Sequence, residues 1–244
     1  MTHMTPHHSP SSGLLPLLYG GGPAVAEQPP HLPLPDLAQR PDSWAHITTL
    51  AAQVRAHSPL ALLGDFLQSS PADLQALGDP GRAAHWRGVH HVALYLGDYD
   101  TDTQWLGFMA ALQRQALALG VSVLDSGPSY IAPKRHGTQG WWTSLTLHDG
   151  SIIELFSCRL WGAWAAQPPL QRCTLMSHAA LGLARRAHVL PTLQGLAATH
   201  RELEVVAYTE GDELGHCYGH LLNHRTQRVL ELVHAGAAAE VTHG

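Results

Sequence analysis

The sequence predicts an α+β chain: two tandem strand–helix–three-strand modules behind a small helical N-terminal region. Three observations carry this. "HVALYL" at 91–96 returns as "HAALGL" at 178–183, and "IIELF" at 152–156 returns as "VLELV" at 229–233. In each copy a helix-like stretch follows the first motif, and further strands alternate at period two up to the second. Each copy opens a strand on histidine and carries glutamate in its last strand.

Residues 1–43 are rich in Pro, Gly and His, with "GGG" and "PPHLPLP". That composition buries little apolar surface in regular elements and reads as a flexible arm. Residues 44–85 read as the helical region. Trp44, Ile47, Leu50, Ala51 and Val54 recur at helical spacing, and "PLALLGDFLQ" supplies a second short helix. "SSPADLQALG" predicts a third, with Ser70 as cap, Pro71 at its first position, Asp73 in its first turn and Gly78 as its stop.

The first module covers 86–160. "HHVALYL" is its opening strand. The following helix carries Trp105, Phe108, Met109, Leu112, Ala116 and Leu119 on one face and ends at Gly120. "VSVLDSG" is a strand. "GWWTSLTLHDGSIIELFSC" is two strands joined at Asp149-Gly150, a hairpin dipeptide. A linker follows at 161–174. The second module covers 175–236 in the same order, with Pro191 and Gly195 expected to shorten or kink its helix. "LEVVAYT" is its next strand, and a hairpin turning near Asn223-His224-Arg225 completes it. Residues 237–244 form a tail.

Composition narrows the function classes. The chain has 244 residues, a formal charge of −5 and 14 Lys plus Arg without a basic run, which argues against a nucleic-acid partner. No apolar stretch approaches the length of a membrane span. No basic cluster precedes the short N-terminal apolar run, so no secretory signal is expected. Three cysteines without a CxxC pair fit a reducing cytoplasm. Nineteen histidines exceed the Lys and Arg together, which directs attention to metal ligands.

Period two then sorts the faces. Glu154 shares a face with Ile152 and Phe156. His91 shares one with Ala93 and Tyr95, and His178 with Ala180 and Gly182; these small neighbours would leave room for a ligand. A carboxylate between apolar strand neighbours is expensive to bury unpaired. Two carboxylates and two histidines at repeat-equivalent places would be reconciled by one divalent cation. A strand-opening histidine is by itself a common surface feature, and a register shift of one would substitute His90 for His91. The weight lies in the four positions taken jointly.

Tandem modules with His in the first strand and Glu in the last resemble the vicinal oxygen chelate superfamily, which includes glyoxalase I, methylmalonyl-CoA epimerase and the extradiol dioxygenases. The resemblance covers about residues 86–236. It implies a cupped mixed sheet around one metal, with His91, Glu154, His178 and Glu231 as ligands. It also implies a small substrate chelating through neighbouring oxygens, and a site complete within one chain. Two imidazoles and two carboxylates suit Fe2+, Mn2+, Zn2+, Ni2+ or Co2+. With Glu154 or Glu231 as base, the expected activity is that of an isomerase or lyase. One alternative is an Fe(II) dioxygenase with a facial triad of two His and one Glu. Another is a non-catalytic protein that sequesters a ligand. Tyr130, His136, Trp142, His216 and His220 are the expected pocket residues. Lys134 and Arg135 are read as a solvated loop or as contacts for an anionic substrate, and Cys217 as a small buried side chain.

Overall fold

The opening strand of the first module outruns its repeat motif. In the computed structural model, which describes residues 41–69, 85–212 and 215–236, β1 spans Trp86–Tyr99. It is followed by α1 (Asp102–Leu119), β2 (Val121–Pro128), α2 (Ile131–His136), β3 (Gly140–Leu147) and β4 (Ile152–Arg159). The second module has β5 (His178–Leu183), a 3-10 turn at Arg186–His188, α3 (Val189–Thr199), β6 (Leu203–Thr209), β7 (Cys217–Asn223) and β8 (Arg228–His234). The eight strands form one sheet in the order β2-β3-β4-β1-β5-β8-β7-β6. Within each module the first strand is parallel to the last, and the modules join through the antiparallel pair β1–β5.

Local sequence explains the ends of the elements. Thr101 and Gln104 form a capping box at the start of α1, and Gly120 closes it in a left-handed conformation. The second helix is shorter, 11 residues against 18. Pro191 sits in its first turn, where its missing N–H leaves no intrahelical bond unmade.

Apolar residues on the other parity make the back of the sheet. Val92, Leu94, Ile153, Leu155, Leu181, Leu221, Leu230 and Leu232 pack with Trp105, Phe108 and Leu112 of α1 and with Val189, Leu193 and Leu196 of α3. Gly219 permits that approach on β7, because a Cβ there would lie 2.5 Å from Leu193 Cδ1 and 2.9 Å from the Ala207 carbonyl oxygen.

Two N-terminal helices, Pro41–Arg55 and Pro59–Leu67, join the same core through Trp44, Ile47, Ala51, Val54, Leu62 and Phe66. The first begins at Pro41, inside the stretch read as arm; a proline suits a first helical position. Asn223 Nδ2 donates to the Phe66 carbonyl at 3.0 Å and Arg225 to that of Leu67 at 3.1 Å. This region therefore covers the back of the sheet. The remaining arm, the third helix expected at 70–78 and the tail at 237–244 lie outside the described residues. Among the described residues no helix is long and apolar enough to cross a membrane.

The linker is helical, which its sequence reading did not foresee. Gly162–Ala166 and Pro169–Met176 are both helices, the second with proline at its start. They are pinned to β1 by a buried ion pair, Arg172 Nη2 to Asp98 Oδ2 at 2.9 Å, with side chains 8% and 10% exposed. Trp164 Nε1 donates to the other Asp98 oxygen at 2.9 Å, and the Tyr95 hydroxyl also donates to it. Asp98→Ala strands the Arg172 guanidinium in the interior. It is expected to lower stability by about 3–5 kcal/mol, read as a fall in the urea midpoint. An unchanged midpoint would show that the pair does not hold the linker.

Candidate metal centre and pocket

The sheet register assembles the four repeat-related positions about the β1–β5 junction. His91 pairs with Ala180 across that junction, and Ala93 with His178. On the parallel sides Ala93 pairs with Glu154 and Ala180 with Glu231. Each alanine thus lies between a histidine and a glutamate. Ala93 and Ala180 are fully buried and do not line the cavity, so the room for a ligand expected beside them lies elsewhere.

A bulge lies between Val89 and His91, opposite Leu181 and Ala180. It leaves His90 unpaired and breaks the alternation, so His90 and His91 both turn toward the site. His90 lines the cavity, and its Nδ1 is 3.0 Å from His91 Nδ1. Burial and the neighbouring His91 push the His90 imidazole down to about 4, so it is neutral, and one proton lies between the two Nδ1 atoms. His91 Nε2 is then the nitrogen that faces the carboxylates. It lies 3.2 Å from Glu231 Oε2 and 3.6 Å from Glu154 Oε2, is buried, and makes no aligned hydrogen bond.

His178 shows the same polarity. Its Nδ1 donates to the Met176 carbonyl at 3.1 Å. Burial holds the ring below its usual range, so Nε2 carries a lone pair, and that atom sits 3.2 Å from Glu231 Oε2. A lone pair facing a buried carboxylate is unfavourable unless a cation stands between them. Among the described residues, His91, His178 and Glu231 form a buried group whose donor atoms all lie within 4.8 Å of one another. Adjacent donors on one ion with bonds near 2.1 Å are spaced about 3.0–3.4 Å apart. The two imidazole-to-Glu231 distances fall in that range, and the donor set suits a divalent transition ion.

The two glutamates are not equivalent. Burial alone would raise Glu231, but His91 above all holds it well below the usual carboxylate range. Glu154 is raised by burial, which the nearby His91 only partly offsets. Its side chain is 20% exposed toward the cavity, against 6% for Glu231.

The cavity measures about 730 Å³. Tyr130, His136, Trp142, His216 and His220 all line it, as do Glu154, His178 and Glu231. Its walls are mainly apolar, from Ile152 and Phe156 on β4 to Val229 and Val233 on β8. The segment read as a loop around His136 is the short helix α2, packed by buried Ala132; its His136 ring lies 4.8 Å from Trp164. Arg135, on the same helix, is engaged by Glu204 of β6 at 3.0 Å, a contact between the two modules at the rim. Leu175 and Met176, from the linker helix, line the cavity without having been anticipated. The apolar pair after "PPLQRC" was the available signal. Asp212, 3.5 Å from His216, was also missed, and no spacing rule marks it.

The strand order decides the fold: two βαβββ modules, each with its first strand beside its last, joined first strand to first strand. The chain has the vicinal oxygen chelate fold. Solved structures similar to it include methylmalonyl-CoA epimerase from Mycobacterium tuberculosis, at 10% identity and TM-score 0.39, covering 63% of this chain and 91% of that one. A variant of 4-hydroxymandelate synthase from Streptomyces coelicolor matches at 13% identity and TM-score 0.36, covering 63% and 50%. A glyoxalase family protein from Bacillus cereus matches at 12% identity and TM-score 0.21, covering 60% and 93%. No family model and no curated protein matches the sequence. At such identities and scores, the vicinal oxygen chelate fold rests on the strand order and register of this chain.

Proposed function

We propose that this protein is a divalent-metal-dependent isomerase or lyase whose small substrate binds through two neighbouring oxygens and loses a proton beside a carbonyl. The observation that carries the reading is Glu154. It is repeat-related to Glu231, stands outside the His91–His178–Glu231 group, opens on the cavity and is raised by burial. Two carboxylates pushed apart by their surroundings divide into an ionised ligand and a base.

His91, His178 and Glu231 would hold the ion, with His90 and the Met176 carbonyl orienting the imidazoles through their far nitrogens. The ion, when bound, supplies Lewis-acid stabilisation of negative charge on a substrate oxygen. Glu154 takes the proton from the carbon beside the carbonyl and returns it at the adjacent position or to a leaving group. Ile152, Phe156, Trp142 and Val229 keep water from the reacting carbon. With Arg135 engaged by Glu204, the pocket favours an apolar substrate body over an anionic one. The three cysteines are free thiols, which supports the cytoplasmic placement.

A second reading, an Fe(II) dioxygenase, is supported by the three-residue group itself, since two imidazoles and one carboxylate form a facial triad. A substrate screen on the metal-loaded protein, run with and without oxygen, separates the two. Turnover without oxygen supports the isomerase or lyase reading. Stoichiometric oxygen uptake overturns it, and retention of ligand without turnover in either atmosphere leaves a binding protein.

Metal affinity is expected to depend on pH. Burial lowers His91, but Glu154 and Glu231 outweigh it and raise the imidazole from 6.5 to about 9 in the metal-free protein. An incoming ion must displace that proton, so affinity should rise roughly tenfold per pH unit up to about 9 and then level. The stability that the proton lends the metal-free fold is full below 6.5 and is lost as pH rises through 9. Chelator competition between pH 6.5 and 9 checks this, and a flat profile would remove His91 from the ligand set.

A further inference from the structure

We propose that His220 is a positioning residue for the metal-binding carboxylate: it holds Glu231 toward His91 and His178 and so makes Glu231, and not Glu154, the carboxylate that stays on the ion. This rests on the ligand reading above. The β7–β8 register places His220 directly opposite Glu231. The equivalent pair of the first module, in the β3–β4 register, is Ser144 opposite Glu154. The two modules therefore differ at the one cross-strand neighbour of each carboxylate that comes from the hairpin partner.

His220 Nε2 lies 3.4 Å from Glu231 Oε2, with the two side chains 9% and 6% exposed. Its Nδ1 is buried without a partner. A carboxylate oxygen accepts and does not donate, so the hydrogen bond between the two side chains takes its proton from His220 Nε2. The ring also packs edge-on against His178 at 5.2 Å between centroids. His220 thus touches one ligand by hydrogen-bond geometry and another by packing, while standing outside the group of three whose donor atoms cluster. Hydrogen-bonded neighbours of metal ligands fix their orientation, and their loss costs about 10–100-fold in affinity. The short Ser144 side chain beside Glu154 offers no imidazole, which leaves that carboxylate off the ion and free to handle protons.

The test uses Co(II), whose visible absorption reports its coordination, on the full chain. Affinity comes from chelator competition. His220→Ser and His220→Leu should each weaken Co(II) binding about 10–100-fold and alter the absorption bands, and His220→Gln, which keeps an N–H, should recover most of the affinity and the wild-type bands. The leucine variant preserves packing should the serine variant fail to fold. Unchanged affinity and bands in both the serine and leucine variants would overturn the proposal. So would complete loss of binding equal to that of His178→Ala, which would make His220 a ligand, and so would a glutamine variant no better than leucine. Failure of the wild-type protein to bind Co(II) would instead overturn the ligand reading on which this one stands.

Discussion

Glu154→Gln is expected to lower turnover by about 10²–10⁴-fold while the protein keeps its ion. Glutamine preserves the shape of the side chain and removes its capacity to accept a proton. The three donors that cluster within 4.8 Å do not include Glu154, so metal content should survive the change. The residue faces the cavity from the middle of β4, on the face it shares with Ile152 and Phe156. Metal analysis and turnover must be measured on the same preparation. Loss of both would make Glu154 a ligand, as the family resemblance implies. Full turnover in the metal-loaded variant would remove it from the proton-transfer step and favour oxygen-dependent chemistry at the three-residue group.

His178→Ala should weaken metal binding by more than about a hundredfold, beyond the usual cost of disturbing a neighbour of a ligand. The fold should be little affected. The β5 side chains of opposite parity, Ala179, Leu181 and Leu183, seat that strand on the core behind it. His178 adds one hydrogen bond to the Met176 carbonyl, and its other nitrogen faces a carboxylate across a gap that needs a cation. Removing the ring relieves that conflict while costing some packing. The metal-free variant should therefore melt within roughly 4 °C of the metal-free wild type, the shift that about 1 kcal/mol produces in a chain of this size. Metal content beside a thermal melt distinguishes the outcomes. Retention of full metal content excludes His178 as a ligand, and collapse of the melt would show a structural role instead.

The sequence by itself determined the repeat, the faces and the local stops. Period two put Ile152, Glu154 and Phe156 on one side and Ile153 and Leu155 on the other, because alternation is a property of an extended backbone and needs no partner. Asp149-Gly150 marked its hairpin, and Gly120 its helix end, for equally local reasons: both glycines adopt positive φ. What joins the modules is not local. That Ala93 faces His178 and Ala180 faces His91 follows from the antiparallel register of β1 on β5, which is set by packing across the whole sheet. The bulge at His90 belongs to the same register, and it turns two consecutive histidines to one side where strict alternation separates them. The linker helices form where Trp164 and Arg172 find Asp98 on β1. Period two placed His220 beside the pocket, but only the pairing of β7 with β8 set it against Glu231 and made two repeat-related carboxylates chemically unlike. A side chain's face is encoded in a few neighbouring residues. Its cross-strand partner is chosen by the burial of surfaces far apart in the chain, and the contrast between Glu154 and Glu231 depends on those partners.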